Sequence, residues 1–61
     1  MASTPAKRLA IGQRVRIEGP GTVTDVQFAN AGEVYVYWLP DGEDEIVVST
    51  IGSEHHVKHA E

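Results

Sequence analysis

The feature that most constrains this chain is the reversal Gly19-Pro20-Gly21, set between two runs in which apolar and polar residues alternate. Ahead of it, Gly12-Gln13-Arg14-Val15-Arg16-Ile17 sends Val15 and Ile17 to one side and Arg14 and Arg16 to the other. A period of two is the mark of a strand with one buried and one solvated face. Glycine accepts the positive φ of a sharp turn and proline fixes its neighbour's path, so the chain reverses within three positions. Thr22-Val23-Thr24-Asp25-Val26-Gln27-Phe28 then continues as a long second strand. Val23 falls out of alternation with Val26 and Phe28, a slip that a β-bulge explains.

A second unit of the same kind follows. Asn30-Ala31-Gly32 makes a turn into a third strand, from Glu33 to Leu39, the most hydrophobic segment of the chain. Val34, Val36 and Trp38 share one face of it, and Tyr35, Tyr37 and Leu39 share the other. Pro40-Asp41-Gly42-Glu43-Asp44 closes this hairpin, and Glu45-Ile46-Val47-Val48-Ser49-Thr50 forms the fourth strand. A tight helical turn is expected over Thr50-Ile51-Gly52-Ser53, with a closing fifth strand in residues 54–59. Pro5 and the small residues around it mark residues 1–8 as a flexible arm ahead of a single domain over 9–61.

With 61 residues there is room for one domain only, and a chain of this size buries roughly 60% of its unfolded surface, so stability is thin. No cysteine is present, which rules out disulfides and cysteine-based zinc sites. No apolar run approaches the length of a bilayer span, and the first residues lack a signal peptide's hydrophobic stretch, so a cytoplasmic protein without a membrane partner is expected.

Charge is unevenly spread. Residues 1–32 carry Lys7, Arg8, Arg14 and Arg16 against Glu18 and Asp25, whereas residues 33–61 carry seven acidic residues against Lys58. Affinity for nucleic acid that rests on phosphate neutralisation calls for several clustered cations, and four are a small footprint. A split charge fits docking onto a protein surface at least as well, because complementary patches steer encounter and fix register.

Five short strands with this punctuation look like the small SH3-like barrel. The run Gly12-Gln13-Arg14-Val15-Arg16-Ile17, then Gly19 and Gly21, then Thr22-Val23-Thr24-Asp25-Val26, resembles the opening hairpin of KOW, Tudor-like and CarD-type modules. Val36-Tyr37-Trp38-Leu39-Pro40-Asp41-Gly42 is similar to the third strand and turn of Tudor-like domains. The resemblance spans about residues 11–50 and implies an all-β, five-stranded barrel acting as a binding module, in families that attach to RNA polymerase, ribosomal RNA or modified peptides. The acidic turn from Asp41 to Glu45 departs from nucleic-acid-binding members, since it repels phosphate. Trp38 lies on the strand face opposite Tyr35 and Tyr37, which argues against an aromatic cage for a methylated lysine.

The candidate contact residues are therefore Phe28, Tyr35 and Tyr37 for apolar contact, with Arg14 and Arg16 setting orientation. Trp38 belongs with Val34 and Val36 in the core. His55, His56 and His59 are the only cluster with metal-ligand chemistry, but they lie at a terminus with few neighbours to fix them, so solvated imidazoles are expected and no metal or cofactor. No nucleophile has a base at motif spacing and no glycine loop cradles phosphate, so the expected function is a non-catalytic module docking onto a larger protein assembly such as transcription machinery. Two alternatives carry different partners: nucleic acid read by the Arg14 and Arg16 stripe, or a second copy of the chain paired along an exposed strand edge.

Overall fold

The structure is a computed structural model, and it describes residues 2–61. Six strands form one antiparallel sheet: β1 Ser3–Pro5, β2 Arg14–Arg16, β3 Pro20–Phe28, β4 Glu33–Pro40, β5 Val47–Gly52 and β6 His56–His59. Their spatial order is β1-β6-β2-β3-β4-β5. β1 and β5 are the two edges, so the sheet does not close into a barrel. The expected five-stranded barrel is thus corrected to an open six-stranded sheet, within the all-β class.

Both expected hairpins are present, β2–β3 and β4–β5, and a third joins β3 to β4. Gly32 and Gly42 supply the left-handed backbone of the last two turns, at φ +83 and +81. Glu33 N–H closes on Asn30 C=O, and Glu43 N–H on Pro40 C=O. The expected bulge lies where the alternation fails: the β3–β4 register shifts between Val23 and Asp25. Pro20, which has no N–H to give a ladder, is tolerated as the first residue of β3.

Gly21 does a different job from the turn residue expected of it. It sits inside β3, opposite Val15 and Pro40. A Cβ built there would meet the Trp38 ring at 2.5 Å and Leu39 C=O at 2.7 Å. Absence of a side chain at this position leaves the space that the indole occupies.

Two expectations about the ends of the chain are overturned. Residues 3–8, expected to be a flexible arm, form β1 and a 3₁₀ turn over Ala6–Arg8; Met1 lies outside the described residues. β1 pairs with β6 through Ser3↔Lys58, Thr4↔Val57 and Pro5↔His56. Proline suits an edge strand because its missing donor faces away from the ladder. Ala6 is fully buried, with its N–H on His55 C=O, and Lys7 N–H reaches Ser53 C=O. The single helical turn expected at Thr50–Ser53 is absent, because β5 continues in extended form through Gly52.

The core is one cluster on the valine face of β4: Ala6, Leu9, Val15, Val23, Val34, Val36, Trp38 and Val57, with Ile17, Val26, Val47 and Ile51 packed against it. Trp38, the largest of these, donates its indole N–H to Ser49 Oγ at 2.9 Å, so burial leaves its polar edge satisfied.

Candidate functional site

The alternation of β4 decides what the molecule shows to solvent. Val34, Val36 and Trp38 are buried as expected, which turns Tyr35, Tyr37 and Leu39 to the outer face. Residues directly opposite one another on an antiparallel pair share a face. Register therefore places Gln27, Asp25 and Thr22 of β3 beside Tyr35, Tyr37 and Leu39, and Thr50 and Val48 of β5 beside Tyr35 and Tyr37. Tyr35 is 38% exposed, Val48 50% and Ile46, just before β5, 55%. These make an apolar stripe on the outer face of β4 and β5. It ends at the exposed acidic loop Asp41 to Glu45.

Phe28 does not belong to that stripe. It is 76% exposed, but it pairs with Val34 and so stands on the opposite side of the sheet from the tyrosines. The bulge is the reason: past Val23 it restores Val26 and Phe28 to the valine side. The structure brings Tyr35 and Tyr37 together and separates Phe28 from them.

The two arginines also part company. Arg14 makes a bidentate ion pair with Asp41, Nη1 to Oδ1 and Nη2 to Oδ2, both at 2.6 Å, and donates to Thr22 Oγ1 at 3.1 Å. The hydrogen bonds from Arg14 hold the Asp41 carboxyl below its ordinary range, aided by the charges of Arg14 and Arg16, and the same contacts raise Arg14. Arg14 is thus a strut between β2 and the β4–β5 loop rather than a free contact residue. Arg16, opposite Lys58 and Pro20, makes no ion pair among the described residues. A stripe of two arginines is in effect one.

The histidines serve the β1–β6 edge. His56 Nδ1 lies 2.9 Å from Ser3 Oγ, and His59 Nε2 lies 2.6 Å from Thr4 Oγ1, which also accepts from Gln13 Nε2 at 3.2 Å. Successive parity on β6 puts His56 and His59 on different faces, so they do not converge on a common centre. Glu54 pairs with Lys7 across the same edge, and this contact holds its carboxyl below the ordinary range.

One arrangement escaped sequence reasoning. Between the Thr50–Gly52 end of β5 and the β2–β6 pair lies an open groove of about 580 Å³, with Arg16, Lys58, His55 and His56 among its lining residues. Among the described residues no carboxylate lines it, in a chain whose net charge is −4. Arg16 and Lys58 are 42 positions apart in sequence, yet they are cross-strand partners. Only the β2–β6 pairing reveals them as neighbours.

No protein-family model, curated protein or solved structure matches the chain. What the surfaces can do rests on their own chemistry. An exposed aromatic and aliphatic stripe with an acidic border is suited to contact with another protein, since tyrosine offers rigid area at low entropic cost together with a polar tip.

Proposed function

We propose that this domain is a non-catalytic interaction module that docks onto a larger protein assembly through the outer face of β4 and β5. The observation that carries this reading is the stripe of exposed Tyr35, Val48 and Ile46, with half-buried Tyr37 beside Val48, on strands whose other face is already committed to the core. A domain this small gains no stability from leaving such side chains in water; a partner surface is where their burial is recovered. The resemblance of residues 11–50 to SH3-like modules of the KOW, Tudor-like and CarD types supports the same reading, as those families work by binding. The acidic loop Asp41 to Glu45 at the end of the stripe favours a partner whose matching rim is basic.

A nucleic-acid module using Arg14 and Arg16 is less well supported, because Arg14 is occupied by Asp41. Capture of the tagged protein from its native lysate, in nuclease-treated and untreated halves, separates the two readings. Partners retained after nuclease treatment are the expected result. Retention that disappears with nuclease would contradict the protein-docking reading, and recovery of the bait alone would favour self-association.

A further inference from the structure

The open sheet leaves a seam, and its chemistry differs from that of the outer face. β5 has a neighbour on one side only, β4. Alternate residues of an edge strand turn their N–H and C=O groups to the unpaired side, ready for another strand. The Thr50–Gly52 end of this edge forms one wall of the groove, and Arg16 of β2 with His56 and Lys58 of β6 contribute the other. Ile17, Ile51 and Val57 give it apolar lining, the first two packed on the core cluster and the third part of it. Cations and imidazoles without a lining carboxylate, an apolar floor and an unpaired strand edge thus coincide.

We infer that this groove receives an extended acidic peptide segment of a partner protein, which adds to the sheet along β5. Main-chain pairing with β5 supplies affinity that is independent of sequence. Alternate side chains of the incoming strand then face Arg16 and Lys58, which select Asp or Glu. A nucleic-acid strand fits less well. No Phe, Tyr or Trp lines the groove among the described residues, which leaves only the imidazoles of His55 and His56 for a base to stack on, and two lysine or arginine side chains release few counterions. The groove differs from the tyrosine stripe in its chemistry, and the two adjoin at Thr50, the cross-strand partner of Tyr35.

The test uses the full chain and three synthetic probes: a short peptide of alternating valine and glutamate, its lysine-for-glutamate counterpart, and the acidic peptide N-methylated at alternate residues. Amide NMR shifts report where each one binds. The acidic peptide should produce saturable shifts at Thr50, Ile51 and residues 56–58, and the other two should not. The double substitution Arg16→Glu and Lys58→Glu should weaken binding by roughly tenfold or more, and Arg16→Gln should weaken it less but in the same direction. The Gln variant keeps the test meaningful if the double variant melts early. No saturable shift with the acidic peptide would overturn the inference. So would equal binding of the N-methylated peptide, which would mean charge without strand pairing. Tighter binding of an oligothymidylate in the same groove, or self-association through the acidic Asp41 to Glu45 loop of a second copy, would assign the groove to a different occupant.

Discussion

At the scale of single residues, Gly21 and Trp38 make the tightest fit beside the core. Adding one methyl at Gly21 drives it into the indole and into Leu39 C=O, two neighbours with little room to yield. Gly21→Ala should therefore cost about 1–3 kcal/mol, as overpacking of a well-filled site does, seen as a lower midpoint in denaturant at unchanged slope. Arg14 and Asp41 make a different kind of contribution, one that depends on pH. Asp41 in the folded chain titrates below its ordinary range, so the protein favours its ionised form over the unfolded state's. That preference is fully present above the ordinary carboxylate range and is lost as the pH falls through the lowered folded value. Thermal midpoints measured from neutral to strongly acidic pH should fall less steeply for Asp41→Asn than for the parent in that acidic window. Because both partners are substantially exposed, added salt should shrink the difference.

At the scale of elements, the edge strand β1 carries more of the fold than its three residues imply. It covers one side of β6, and the 3₁₀ turn after it delivers Ala6 to the core. Ala6→Asp should consequently destabilise more than any substitution at its exposed neighbours Lys7 and Arg8, because it places an unpaired carboxylate among buried apolar groups. A melt that moved no further for Ala6→Asp than for Lys7→Ala would contradict the ordered N-terminal segment. The same elements show what the sequence makes legible. The hairpins are written locally, in alternation and turn glycines, and so are the bulge after Val23 and the division of β4 between core and surface. β1 is not, since Ser3-Thr4-Pro5 is short, holds only one strand-favouring residue, Thr4, beside a proline, and becomes a strand through pairing with residues 56–58, far along the chain. The face that Phe28 takes is not legible for a related reason: it follows from register across β3 and β4, which composition does not report.

At the scale of the whole molecule, the open sheet sets two surfaces apart. The outer face of β4 and β5 is apolar with an acidic border, and the seam between β5 and β6 is cationic. A net charge of −4 conceals this division. The cationic groove escaped notice because Arg16, Lys58 and His56 meet only once β2 and β6 are paired. If the outer face docks a partner as proposed, Tyr35 and Val48 serve contact and do not hold the fold together. The most direct test is a double substitution, Tyr35→Ser with Val48→Ser, followed in parallel by thermal melting and by capture of nuclease-resistant partners. Cross-strand contact at exposed positions is worth roughly 0.2–1 kcal/mol, so a cooperative melt close to the parent's, together with loss of the captured partners, is the expected result. Collapse of the melt, or an intact melt with every partner still retained, would contradict it.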